Sequence, residues 1–152
     1  MPEVKSILAE KGSDVLSVSP SESVLEAAKL MNKKKVGALV VIVDRAVVGM
    51  FTERDLLQRV VAHQKDPGAI CVEEVMTKKV IRAHPDDPVD KAKSTMKHKR
   101  IRHLPVVDDT DELVGMISIG DINAFEIGYL HTYLDYHGSM EESMWSRMSK
   151  YG

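Results

Sequence analysis

The chain states one pattern twice. Val15-Leu16-Ser17-Val18-Ser19-Pro20 returns as Val80-Ile81-Arg82-Ala83-His84-Pro85, and Gly49-Met50-Phe51-Thr52-Glu53-Arg54-Asp55 returns as Gly115-Met116-Ile117-Ser118-Ile119-Gly120-Asp121. The prolines are 65 residues apart and the glycines 66, so the register slips by a single residue. A unit of this size is near the lower limit for a core of its own and is expected to pack against its copy. Such packing relates equivalent residues by a pseudo-two-fold axis and makes the clefts between the copies the natural place for a ligand.

Each copy reads as β-α-β-β-α. Val4, Ile7 and Leu8, matched by Val72, Val75 and Met76, have helical spacing. Short strands are expected at 15–19 and 79–83, each ended by a proline that removes a ladder donor. Helices follow, with Val24, Leu25, Ala28 and Met31 on the core face of one and Val89, Ala92 and Met96 on that of the other. Asp87-Pro88 is the expected N-cap and first helical residue of the second. The runs Val36–Val43 and Ile101–Val107 are apolar enough for strands buried on both faces. Val47–Phe51 and Leu113–Ile117 are the partner strands. The turns between, Asp44-Arg45-Ala46 and Asp108–Glu112, differ in length and account for the slip. The last helices begin near Thr52 and Ser118. The expected organisation is repeat 1 at 1–63, a linker at 64–71 with Asp66-Pro67-Gly68 turn chemistry, repeat 2 at 72–125 and a helical tail at 126–152. Phe125 and, in that tail, Tyr129, Leu130, Tyr133, Leu134 and His137 keep one face, Gly138-Ser139 interrupts, and Met140, Met144 and Met148 continue beside Trp145. So apolar a tail is expected to meet a partner chain.

Composition excludes several classes. The net charge of −2 gives no basic excess for nucleic acid, and the run Lys33-Lys34-Lys35 reads as a solvated helix end. The one cysteine, Cys71, excludes an intrachain disulfide or a cysteine zinc cluster and reads as a small buried hydrophobe. The N-terminus has no apolar signal region and no apolar run reaches about 18 residues, so a cytoplasmic location is the default expectation. The histidines His63, His84, His98, His103, His131 and His137 include no pair with metal-ligand spacing on a helix, and no nucleophile, base and metal set is apparent.

The chemistry concentrates in Thr52-x-x-Asp55 and Ser118-x-x-Asp121. At a strand-to-helix junction this spacing makes a capping box. The same geometry suits a nucleotide: the helix N-terminus and hydroxyl offer donors to a phosphate, and the carboxylate can accept from ribose hydroxyls. Gly49 and Gly115 leave room for close packing. Arg54 adds a guanidinium fork that Gly120 lacks, so the two sites are expected to be inequivalent.

With the doubled unit, the Gly-x-x-Thr/Ser-x-x-Asp endings, Val75-Met76-Thr77 and Arg100-Ile101-Arg102-His103-Leu104-Pro105-Val106, the chain resembles a tandem pair of cystathionine β-synthase (CBS) domains, a Bateman module, up to about Phe125. The resemblance implies an α/β fold and a non-catalytic regulatory module that binds an adenine nucleotide, with AMP foremost and ATP, ADP, NAD(H) or S-adenosylmethionine as alternatives. It implies Thr52 and Asp55 at one site and Ser118 and Asp121 at the other. It also implies Gly37 and Ala38 beside adenine, Arg102 and His103 towards phosphate, and Val18 and Ile81 to Ala83 along the base. A homodimer and a regulated protein in trans are the implied partners. A protein-interaction module that has lost its ligand is the rival reading.

Overall fold

The computed structural model describes residues 1–148, with side chains described through 138. Repeat 1 comprises α1 (Val4–Lys11), β1 (Ser17–Val18), α2 (Val24–Lys34), β2 (Ala38–Val43), β3 (Ala46–Thr52) and α3 (Glu53–Asp55), which passes into a π-helical stretch at Leu56–Val61. Repeat 2 comprises α4 (Val72–Val75), α5 (Val89–Lys99), β4 (His103–Val107), β5 (Leu113–Ser118) and α6 (Ile119–Met148). β1 lies parallel to β2, and β2 is antiparallel to β3; β4 and β5 form a second antiparallel sheet.

The leading helices are exchanged. Val4 and Ile7 of α1 are buried with Val89, Met96, Leu104, Ile117 and Ile122 of repeat 2. Val72, Val75 and Met76, in and just after α4, are buried with Val24, Met31, Leu39 and Phe51 of repeat 1. Backbone bonds fix the exchange: Val4 N–H donates to Asp87 C=O and Val89 N–H to Pro2 C=O, while Val72 N–H donates to Glu22 C=O. Gly49 and Gly115 permit it. A Cβ at Gly49 would run into the Met76 side chain, and one at Gly115 would lie 2.7 Å from Leu8 Cδ2. A third cluster, with Val40, Val47, Met50 and Val107, joins the two sheets.

Several expectations hold. Ala38 to Val41 are fully buried, so β2 is covered on both faces. α2 and α5 both stop at a left-handed residue, Lys35 (φ 55°) and Arg100 (φ 53°), with cations in the last turn facing the negative helix end. The hairpin turn Asp44-Arg45 has two positive φ values, whereas the second turn is longer, with Asp108 N–H bonded to Glu112 C=O.

Other expectations need correction. The strand at 79–83 shrinks to one parallel bridge, Ala83 to Val106. In repeat 1, Val40 N–H donates to Leu16 C=O; its equivalent is Pro105, which has no N–H to give. The core face of α2 is Val24, Ala27 and Met31, with Leu25 exposed. Pro88, not Asp87, is the N-cap of α5; the Asp87 carboxylate instead accepts from His84 N–H and Lys91. Cys71 is half-buried, and it caps α4 with its N–H and thiol both donating to Glu74. Gly138-Ser139 does not break α6, which runs through both and continues to Met148. The side chains of Met140, Met144, Trp145 and Met148 lie outside the described residues. No described helix is long and apolar enough to cross a membrane.

Candidate functional site

A cleft of about 300 Å³ opens where the two repeats meet. Its residues come from three places. Repeat 1 supplies Met50 and Thr52 at the end of β3, then Glu53, Arg54 and Asp55, with Gly37 ahead of β2. The segment after α4 supplies Thr77, Lys79, Val80 and Ile81, and the approach to β4 supplies Ile101, Arg102 and His103.

Thr52 and Asp55 close the capping box. Asp55 N–H donates to Thr52 Oγ1 at 3.3 Å, and Thr52 N–H donates to Asp55 Oδ2 at 3.0 Å. Thr52 Oγ1 also donates to that oxygen, filling its two lone pairs. Thr77 Oγ1 donates to Oδ1 at 3.1 Å, and Arg59 Nε stands 3.7 Å from it. Asp55 is only 5% exposed and serves as a buried junction, with one lone pair of Oδ1 without a hydrogen bond among the described residues. Two of the first three helical N–H groups are engaged: Glu53 N–H donates to Gly37 C=O and Asp55 N–H is in the cap.

Four basic groups face this cleft. Arg54 Nη1 donates across the repeats to Arg100 C=O at 2.8 Å, the left-handed residue that ends α5. Lys79 and Arg102 have no hydrogen bond or ion pair through their side chains among the described residues. Burial pushes the pKa of His103 down; Arg102 and Lys11 add to the depression, and Asp121 and Glu53 oppose it. Met50, Val80, Ile81 and Ile101 supply the apolar wall. Among the described residues no group of three or more His, Cys, Asp or Glu is gathered as a metal would require.

Of the residues singled out from sequence, Gly37, Thr52, Arg54, Asp55, Ile81, Arg102 and His103 share this cleft. Val18, Ala38, Ala83, Ser118 and Asp121 do not line it. Val18 packs against the repeat 1 core, Ala38 is wholly buried in the cluster joining the sheets, and Ala83 belongs to the repeat 2 core. Ser118 and Asp121 form the second capping box, with Ser118 N–H donating to Asp121 Oδ2 at 2.7 Å and Asp121 N–H to Ser118 Oγ at 3.1 Å. A second hollow of about 250 Å³ touches Asp121 but not Ser118, and lies between α1 and α6, with Ile7, Lys11 and Phe125 in its wall. Sequence reasoning misses Met50, Glu53, Thr77, Lys79, Val80 and Ile101. The signal that could have found Thr77 and Lys79 is their position directly after the second leading helix, which the exchange carries to repeat 1.

The CBS domain family model matches residues 4–62 and 72–127. An uncharacterized protein, MK0525, from Methanopyrus kandleri is 36% identical over 110 residues, which cover 72% of this chain and 56% of that protein. The CBS-domain containing protein ATU1752 from Agrobacterium tumefaciens has a similar structure, with TM-score 0.77, 38% identity, and 82% and 99% of the two chains covered. The CBS domain pair of protein MJ0100, solved in complex with 5-methylthioadenosine and S-adenosyl-L-methionine, gives TM-score 0.75 and 32% identity over 85% of this chain and 98% of that one.

Proposed function

The chain belongs to the CBS domain family, and we propose that it is a non-catalytic regulatory module that binds an adenine nucleotide in the cleft between its repeats. The observation that carries this reading is the pairing of the unengaged cations Lys79 and Arg102 with the apolar wall of Met50, Val80, Ile81 and Ile101. A nucleotide has the matching polarity, a flat apolar base at one end and a phosphate at the other. The base lies on the apolar wall, the ribose donates to the remaining lone pair of Asp55, and the phosphate meets Lys79, Arg102 and Arg54. The adenosine-containing ligands of MJ0100 support the base as adenine. AMP leads; ATP, ADP, NAD(H) and S-adenosylmethionine are the other members of the class.

Binding signals by population shift. Arg54 and Arg102 reach the same ligand from different repeats, so a phosphate favours the arrangement in which both can touch it. Repeats 1–63 and 72–125 hold the ligand, and the tail 126–152 makes a homodimer that presents the change to a regulated protein in the cytoplasm. The exposed faces of Ile127, Leu130 and Leu134 on α6 support this role for the tail. A thermal-shift series with AMP, ADP, ATP, NADH and S-adenosylmethionine tests the reading. At a hundred times the dissociation constant a bound nucleotide adds about 2.7 kcal/mol. A melting temperature unmoved by all of them at millimolar concentration leaves the ligand-free interaction module in its place.

A further inference from the structure

Glu53 puts a carboxylate among the cations of the cleft. Its counterpart in repeat 2 is Ile119, which packs on the repeat 2 core, so the copy carries no charge at this position. In repeat 1 the side chain is exposed, and the bond from Glu53 N–H to Gly37 C=O, 3.0 Å long, keeps the two residues together. The carboxylate lies over that glycine: a Cβ at Gly37 would stand 3.2 Å from Glu53 Oε2. It has no hydrogen bond or ion pair among the described residues, although Arg54, Lys79 and Arg102 line the same cleft. It is near enough to His103 to favour that ring's charged form. The first turn of α3 favours an acidic residue for the helix dipole alone. The same side chain also sets the charge of the cleft.

We propose that Glu53 is the charge selector of this cleft, tuning it to a nucleoside monophosphate and against the di- and triphosphate. The fixed cations of the lining, Arg54, Lys79 and Arg102, face the carboxylates of Glu53 and Asp55, and Asp55 already has Arg59 Nε 3.7 Å away. A phosphate monoester brings about two negative charges, and each further phosphate adds about one more. With Glu53 ionised, the positive charge of the cleft is matched by one phosphate, and every added phosphate meets a carboxylate that no other group neutralises. Size acts in the same direction. A cleft of about 300 Å³ is at the small end of ligand pockets. It is roughly 8 Å across, about one Debye length at physiological salt, so Glu53 acts on every charge held inside it.

This inference rests on the nucleotide reading of the cleft, and the experiment separates the two. Isothermal titration calorimetry of AMP, ADP and ATP into the full chain, at low ionic strength and without divalent cations, is expected to give affinities that fall in that order. Glu53→Gln keeps the shape and removes the charge. It is expected to narrow the ratio of AMP to ATP affinity about 5-fold. Glu53→Lys reverses the charge and is expected to narrow the ratio about as much again. A residue that served only the helix dipole would change the melting temperature of these variants and leave the ratio alone. ATP bound by the unmodified chain as tightly as AMP, or a ratio that both variants leave unchanged or widen, overturns the inference and leaves the nucleotide site standing. No binding of any of the three nucleotides by the unmodified chain overturns both.

Discussion

Asp55 and Asp121 occupy equivalent positions and do different work. Asp55 is sealed by Thr52, Thr77 and Arg59, whereas Asp121 is held by Lys11 and Ser118. Asp55→Ala should therefore cost stability as well as affinity, since it leaves the Thr52 amide and the Thr77 hydroxyl without their acceptor. A loss of about 2–3 kcal/mol is expected, read as a melting temperature lower by roughly 5–10 °C. Burial alone would raise the pKa of Asp121, but the bonds from Lys11 and Ser118 outweigh it and hold it below the usual carboxylate range. The stability this supplies is present above about pH 4 and is lost as pH falls through the depressed folded value. Lys11→Met should shrink that acid-side loss in a melting series across pH. His103 acts in the opposite part of the scale. Burial holds its folded pKa below the ordinary imidazole value, so the unfolded chain takes up a proton first and stability declines as pH drops through that range. A phosphate in the cleft would favour the imidazolium. Nucleotide binding should therefore take up a proton at pH just above the depressed folded value, seen as a buffer-dependent calorimetric heat, and His103→Gln should abolish the uptake. The surrounding charges are Arg102 and Lys11 against Asp121 and Glu53.

At the scale of elements, periodicity made most helices and the long strands legible, because Val89, Ala92 and Met96 or the run from Ala38 to Val41 carry their burial in residue type alone. Two features escaped for physical reasons. Proline at 105 reads as a strand residue of repeat 2, yet its missing N–H costs the neighbouring strand its ladder, and only alignment with Val40 reveals the loss. The glycine at 138 reads as a stop, but a single glycine costs an exposed helix only about 1 kcal/mol, and α6 passes through it. The tail also fixes where a truncation belongs. Phe125 packs on the repeat 2 core and Glu126 pairs with Lys93 at 2.7 Å, so a cut after Ala124 would damage the module itself. Ending the chain after Gly128 spares both. Light scattering should then show a monomer or a weaker dimer with nucleotide affinity unchanged; a dimer as tight as that of the full chain would move the interface away from α6.

For the molecule as a whole, the duplication announced a pseudo-two-fold pair, but it could not announce which repeat would complete which cleft. Internal repetition relates Thr52 to Ser118; it says nothing of Thr77 meeting Asp55, an interaction made only because α1 and α4 change places. Arg102 and His103, read from sequence as part of a repeat 2 site, stand beside Arg54 in the first cleft, where Arg54 also reaches across the repeats to Arg100 C=O. The central claim is that this shared cleft binds an adenine nucleotide through cations from both sides. Calorimetric titration of AMP and ATP into the full chain and into a Lys79→Ala, Arg102→Ala double variant tests it most directly. Saturable binding to the full chain is predicted, weakened about 10- to 100-fold by each charge-assisted hydrogen bond that the variant removes. The melting temperature of the free variant should change little, because both side chains are exposed. Binding of equal strength to the double variant, or no binding to the full chain at millimolar nucleotide, would contradict the claim.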